Sequence, residues 1–244
     1  MGTTPTSTPL IHKLESVLVL SEDEKDVLRK LSGTIKTVGP RQDLVREGDR
    51  PHECCLILEG FAYRYKLTED GRRQIFSFHI PGDIPDLQSL HIDVMDHSLS
   101  SLTTCKALFI SHETVRNLMQ GCPRISDAFW RDTLIDAAVF REWILNLGRR
   151  EAYGRMAHLL CEFYVRLKAV GLTNGDACDM PFTQAELADA TGLSTVHVNR
   201  TLQDLRGEGL ITLRAGSLSV LDWDRLREAG EFDPTYLHLR KEAA

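Results

Sequence analysis

The 244-residue sequence has no apolar run long enough to span a bilayer, and its first residues, MGTTPTSTPLIHKLE, lack the basic-then-apolar order of a signal peptide. Both absences lead to the expectation of a cytoplasmic protein with no membrane partner. There is no Cys-x-x-Cys pair: the six cysteines, Cys54, Cys55, Cys105, Cys122, Cys161 and Cys178, are scattered without metal-ligand spacing. Cys54 and Cys55 are neighbours in an apparent strand and point to opposite faces, so buried, inert thiols are expected there and not a disulfide between them. The nine histidines include no His-x-His pair, which removes the usual ligand set of a metal-dependent jelly-roll enzyme. Positive charge is also short: 35 acids against 29 bases give a formal charge of -6. A nonspecific nucleic-acid binder does not look like this, so any such binding must be local and sequence-directed.

What the sequence does have is a helix-turn-helix pattern from Thr183 to Arg206, TQAELADATGLSTVHVNRTLQDLR. Thr183 caps a helix whose Glu186 reaches back in a capping box, Leu187 and Ala188 give it an apolar face, and Gly192 makes the turn. Leu193 plugs the angle between helices, Ser194 caps the second, and Val198, Leu202 and Leu205 recur at helical spacing to hold it down. The other face presents Thr195, His197, Asn199, Arg200 and Gln203, side chains able to bond to base edges and phosphates in a major groove, and Thr183, Ser194, Val196 and Arg214 complete the expected DNA contacts. The following GLITLRAGSLSVLD alternates around an Ala215-Gly216 turn and reads as a short hairpin. Helix, turn, helix and hairpin make a winged helix, and an ordinary helical hairpin with a solvated face would need no such wing. Because the motif is nearly charge-balanced, phosphate neutralisation must draw on arginines around it, namely Arg149, Arg150, Arg155 and Arg214, and a two-fold dimer would double the footprint.

Upstream, residues 1–20 read as a flexible tail, and Ser21 caps a helix with acids in its first turn and bases in its last. From Ile35 to Ile110 short alternating runs are broken by glycine, proline and aspartate, the signature of a β-sandwich or β-roll. A breaker-free helix then follows Pro123. Ile125, Ala128, Ile135, Val139 and Trp143 lie on one stripe of it, with further apolar residues to the sides. One face can cover the roll and the other needs a partner, so these five are expected in a dimer seam. Asn146, Leu147 and Gly148 read as a hinge. RREAYGRMAHLLCEFYVRLKAVG gives the helix-turn-helix a floor, and LTNGDACDMPF reads as a turn-rich loop.

The order of β-roll, long helix, hinge and winged helix, with the Gly-marked run LVREGDRPHECCLILEGFAYRYKLTEDGRRQIFSFHIPGD and the block from Arg155 to Arg206, resembles the CRP/FNR family (cAMP receptor protein and fumarate-nitrate reduction regulator). The resemblance covers about Ser21 to Asp222. It implies an α+β fold in four parts: tail 1–20, cyclic-nucleotide-binding-like sensor roll 21–122, dimerisation helix and hinge 123–148, and winged helix with C-terminal tail 149–244. It further implies a homodimer on a near-palindromic double-stranded DNA site, meeting RNA polymerase there, with a small-molecule or redox sensor in the roll and no catalytic residues.

Departures from the family pattern bear on the signal. Members that bind cyclic nucleotide carry Gly-Glu after the Gly82-Asp83 turn and Arg-Ser or Arg-Thr further on; here these places read Pro85-Asp86 and His97-Ser98. Gly82, Asp83, Asp86, His97 and Ser98 are the effector-pocket candidates, and without a guanidinium fork the pocket is not expected to take cAMP. The iron-sulfur ligands of oxygen-sensing members, which precede the roll, are missing because no cysteine precedes Cys54. His79, His91, Asp93 and His97 could supply a metal or haem ligand but read first as a polar loop, and no cofactor is assigned. In the recognition helix the family's Glu is replaced by Val196, suited to a thymine methyl group, while the Arg is kept at Arg200. Two alternatives remain: a regulator whose roll takes no ligand, and a cupin-like enzyme fused to a DNA-binding module.

Overall fold

The computed structural model describes residues 8–240. It divides into two compact units: residues 8–71 with Ser77–Asp136, and Arg72–Phe76 with residues 137–240. The first begins with α1 (Thr8–Glu15) and α2 (Glu22–Arg29). α2 starts where its capping box dictates: Ser21 Oγ accepts from Glu24 N at 3.3 Å, and the Glu24 carboxylate accepts from Ser21 N at 2.7 Å.

The strands β1 (Thr34–Val38), β2 (Asp43–Val45), β3 (Glu53–Glu59), β4 (Ala62–Leu67), β5 (Arg73–His79), β6 (Ser98–Ser101) and β7 (Cys105–Ser111) form two sheets, ordered β1-β7-β3 and β2-β6-β4-β5. A 3-10 turn, Leu87–Leu90, lies between β5 and β6. β3 shows how strand alternation builds two cores. Cys54, Leu56 and Leu58 join a cluster with α1, α2, Val115 and Ile125, whereas Cys55 and Ile57 join Val45, Leu99, Cys105 and Ala107. The adjacent cysteines therefore serve opposite faces as free, buried thiols, and burial pushes Cys54 up to about 12.

The flexible-tail expectation is corrected for residues 8–20; residues 1–7 lie outside the described part. Leu10, Ile11 and Leu14 fall on one side of α1 and are buried, as are Val17 and Leu20 beyond it. Pro9 is no obstacle, since a first-turn proline removes an amide that has no intrahelical partner anyway. The packing is close enough to need a glycine opposite: a Cβ on Gly82, at φ +100°, would stand 2.4 Å from the Pro9 carbonyl oxygen.

After α3 (His112–Gly121), α4 (Pro123–Arg149) runs unbroken through the residues read as a hinge. Asn146 to Gly148 are helical; Asn146 is buried and its Nδ2 donates to the Arg155 carbonyl at 3.2 Å. An exposed Gly148 costs a helix only about 1 kcal/mol, too little to break it. The chain turns after Arg149, and Glu151, in extended conformation, holds the N-cap position of the next helix without a side-chain cap bond.

In the second unit α5 (Ala152–Ala169) is the floor. The turn-rich loop contains a small hairpin, β8 (Thr173–Asn174) and β9 (Ala177–Asp179), whose second strand pairs with the wing. α6 (Gln184–Thr191), α7 (Thr195–Gly207), β10 (Ile211–Arg214) and β11 (Ser217–Val220) follow, and the sheet order is β10-β11-β9-β8. The C-terminal tail is also structured as far as described: α8 (Trp223–Ala229) and a 3-10 turn at Pro234–Leu237 pack on α5. His158 and Tyr236 join there at 3.1 Å, and the Tyr236 hydroxyl donates to buried Glu162 at 2.8 Å. Trp143 Nε1 donates to the same carboxylate at 3.1 Å, tying the end of α4 to α5.

Candidate nucleic-acid interface

The helix-turn-helix is built as its residues require. Thr183 Oγ1 accepts from Glu186 N at 3.2 Å and Glu186 returns the bond to Thr183 N at 2.7 Å. α6 ends on Gly192 in the left-handed region, φ 65°, with the Leu193 amide closing on Ala188 O. Ser194 Oγ accepts from His197 N at 3.2 Å to start α7, and Val198, Thr201, Leu202 and Leu205 are buried beneath it.

Thr195, Val196, His197, Arg200 and Gln203 are exposed, Asn199 is half-buried, and Val196 reaches 79% exposure. None of their side chains has a hydrogen bond or ion pair among the described residues. An exposed β-branched residue among donors is unusual on a helix with no partner, and it suits a groove offering both methyl groups and acceptors. A shallow depression is lined by Thr195, Val196, Asn199, Arg200, Gln203 and one further residue, Gln184. Gln184 escaped the sequence reading because it follows the capping Thr183 and carries no periodic signal of its own; its clue is that a helix-turn-helix brings the first turn of one helix beside the start of the next.

Thr183 and Ser194, expected as DNA contacts, accept the capping bonds through their hydroxyl oxygens, which leaves each O–H to donate outward. Of the supporting arginines, Arg149 and Arg214 are exposed, Arg214 at the tip of the wing beside Ala215 (φ 49°) and Gly216 (φ 78°). Arg150 and Arg155 are not available. Arg150 pairs with Glu142 at 2.7 Å, and Arg155 donates to the carbonyls of Asn146, Thr191 and Arg150. These arginines sit where a helix ends and a new one starts, so orphan carbonyls claim Arg155 and a carboxylate claims Arg150.

The effector-pocket candidates in the roll are likewise committed. Asp83 pairs with Lys13 at 2.9 Å, faces His79 at 3.3 Å and accepts from Ile80 N at 3.1 Å. Lys13 lies 3.5 Å from Asp132 of α4 as well. Buried Arg64 donates to the Pro85 carbonyl at 2.8 Å and to Asp136 at 2.6 Å. Asp86 accepts from Cys55 N at 2.7 Å through one oxygen while the other has no partner, and burial pushes its carboxyl up to about 6. Ser98 accepts from Glu47 N at 3.0 Å, and His97 joins Asp96 at 2.7 Å. Gly82 is covered by α1. Of the five aspartates here, Asp83, Asp132 and Asp136 face the internal cations Lys13 and Arg64, Asp96 joins His97, and Asp86 has no ion-pair partner among the described residues.

Among the described residues no group of three or more His, Cys, Asp or Glu could hold a metal ion, and His79, His91, Asp93 and His97 form no such cluster. Burial lowers His79 to about 4, so its neutral ring donates from Nδ1 to Asp83 and accepts at Nε2 from Ser77 at 2.9 Å.

The seam residues also need correction. Ile125, Ala128, Ile135, Val139 and Trp143 are all buried inside one chain, the first two in the roll's helical cluster. The opposite stripe of α4 is open: Trp130, Leu134 and Ile144 are 65%, 51% and 71% exposed. With Ala137 and Arg141 they recur at alternating spacings of four and three, a heptad seam.

A β-roll, a long helix with a bare apolar stripe and a winged helix with an unpartnered polar face define a regulator that reads DNA. Residues 35–122 match the model of a cyclic nucleotide-binding domain and residues 154–229 that of a Crp-like helix-turn-helix domain. The transcriptional activator protein FnrL of Cereibacter sphaeroides is 31% identical over 198 residues, 78% of each chain. The nitrogen fixation regulation protein FixK of Bradyrhizobium diazoefficiens is 29% identical over 168 residues, 68% of this chain and 69% of that one. The structure of FixK2 from Bradyrhizobium japonicum superposes with a TM-score of 0.73 at 22% identity, over 82% of this chain and 98% of the other. That of the c-di-GMP responsive regulator CLP of Xanthomonas campestris gives 0.64 at 19% identity, over 83% and 100%. The chain belongs to the CRP/FNR family of transcription regulators.

Proposed function

We propose that the protein works as a cytoplasmic homodimer, paired along the Trp130, Leu134, Ala137, Arg141 and Ile144 stripe of α4. Two α7 helices then enter successive major grooves of a near-palindromic site, where RNA polymerase is met, and no reaction is catalysed. One observation carries this reading: the face of Thr195, Val196, Asn199, Arg200 and Gln203 is the exposed side of a helix whose other side is fully packed. Among the described residues no helix is long and apolar enough to cross a membrane, in keeping with a cytoplasmic site of action. The relatives named as an activator and as a nitrogen fixation regulator favour control of transcription over architectural binding. Arg200 reads guanine or clamps phosphate, Asn199 reads adenine, and Val196 packs on a thymine methyl.

Selection of bound sequences from a random duplex pool by the full chain tests this. A near-palindrome is expected, with Arg200→Ala weakening binding to it by about 1–3 kcal/mol and leaving thermal stability unchanged. Enrichment of no sequence would remove the reading.

The second reading, a roll that takes no ligand, is favoured by the pairing of Lys13 with Asp83 and Arg64 with Asp136, which fills with protein cations the region where an effector was expected. Neither cAMP nor cGMP is then expected to raise the melting temperature, as any ligand selective for the folded state must.

A further inference from the structure

A cavity of about 530 Å3 opens between the C-terminal part of α5, the end of β11 and α8, within the range of small-molecule sites. Its sequence origin is a repeated pattern. α5 carries Tyr164 and, one turn on, Lys168; α8 carries Trp223 and, one turn on, Arg227. Each helix thus contributes an aromatic ring followed by a cation. The rings lie 5.7 Å apart at 45°, and Trp223 is held from behind by Phe232 at 6.1 Å, so the apolar floor is fixed. Exposed Leu221 extends it.

The cations are what set this cavity apart. Basic neighbours on the same helices are paired: Arg166 with Glu162 at 3.5 Å, and Arg225 with Glu208 at 3.6 Å. Lys168 and Arg227 line the cavity with no ion pair or side-chain hydrogen bond among the described residues, in a chain with an excess of acids. Trp223 Nε1–H has no hydrogen-bond partner among the described residues either. Asp233, close enough to feel Arg227, spends its carboxylate on Thr235 N and Oγ1. One carboxylate, Asp176, stands at the rim and opposes a dianion.

We infer that this cavity binds a flat, apolar monocarboxylate, its ring on Tyr164 and Trp223 and its carboxylate taken by Arg227 and Lys168. The winged-helix unit then has an effector port of its own, separate from the roll. That consequence rests on the DNA-binding reading, but the binding itself does not.

The test is a titration of the full chain with 2-naphthoate, followed through the indole N–H signals of its three tryptophans, Trp130, Trp143 and Trp223, in a 15N-labelled sample. The Trp223 signal, assigned by its loss in Trp223→Phe, is expected to shift and saturate. Arg227→Gln, an exposed change that removes no internal pair, is expected to weaken binding about tenfold, with a smaller loss for Lys168→Gln. Uncharged 2-naphthalenemethanol should bind about as poorly as the acid binds Arg227→Gln. No saturable shift up to the solubility limit overturns the proposal. So does equal affinity for acid and alcohol, insensitivity to both cation variants, or a response confined to Trp130 and Trp143. Because the readout does not involve DNA, failure of the operator selection would leave this result intact.

Discussion

The interior of the roll and the outer face of α7 are both rich in polar side chains, and they differ in who answers them. On α7 the side chains at 195, 196, 199, 200 and 203 have no hydrogen-bond or ion-pair partner among the described residues, whereas in the roll Asp83, Arg64, Ser98 and His97 are each met from within. The difference follows from burial. A polar group on a helix surface can wait in water for its ligand, but one sealed between a sheet and a helix is met by the chain itself or, as at Asp86, pushed by burial toward its neutral form. Residues matched by position to a family's ligand pocket therefore reveal a pocket only if nothing nearer has claimed them, and here Lys13 and Pro85 have.

The sharpest way to break this comparison is to remove an internal cation. Arg64→Leu is expected to cost about 3–5 kcal/mol in urea unfolding, because it strands Asp136 and the Pro85 carbonyl. Arg200→Ala should change stability by less than about 0.5 kcal/mol, as for a surface position. Adding Asp136→Leu to Arg64→Leu should recover much of the loss. Equal, small effects at Arg64 and Arg200 would show that the roll is not self-satisfied.

The two stripes of α4 make a second contrast. Leu134→Asp or Ile144→Asp should weaken self-association by about a hundredfold or more in sedimentation, without unfolding the chain. Ile135→Asp, on the buried stripe, should instead lower the melting temperature of the roll. A dimer that survives both exposed-stripe variants would move the interface off α4.

The same helix shows how far the sequence could be read. Both stripes of α4 are apolar with similar spacing, so periodicity could say that one covers the roll and another seeks a partner, but not which. Ile125 and Ala128 settle inward only because Leu56, Ile110 and Val115 are there to meet them, long-range contacts with no local signature. The caps at Ser21, Thr183 and Ser194, the turn at Gly192 and the wing turn at Ala215-Gly216 were legible because each depends on residues within four positions. α1 was hidden by the opposite bias: Pro9 and the preceding threonines and serine suggest a tail, and three buried side chains overrule them. Arg150 and Arg155 were charges whose carbonyl and carboxylate partners lie across a helix junction, which composition does not display.

Asp86 sharpens the comparison at a single carboxyl group. Burial raises its folded-state pKa from 3.8 to about 6, so the folded protein holds this proton more tightly than the unfolded chain does. The resulting stability is fully present below the unfolded value and is lost as pH rises through about 6. Asp86→Asn keeps the oxygen that accepts from Cys55 N and carries no charge at any pH. It should be more stable than the parent by on the order of 1–3 kcal/mol at pH 8 and indistinguishable from it near pH 4, by thermal unfolding at both. A variant less stable at pH 8 would mean that the carboxylate has a counter-charge.

The smallest expected effect falls on the boundary between cap and contact. Thr183 sits beside the DNA-reading face, yet its hydroxyl accepts from Glu186 N and helps fix the first turn of α6. Thr183→Ala should therefore cost about 1 kcal/mol of stability, and Thr183→Asp, as good a cap, should restore it to within a few tenths. The aspartate variant also separates the two roles, because a carboxylate can replace the hydroxyl toward Glu186 N but repels a phosphate. Operator affinity that follows stability through both variants leaves Thr183 as a cap alone. A Thr183→Asp protein that folds like the parent but binds about tenfold less tightly would put the hydroxyl back among the groups that touch DNA.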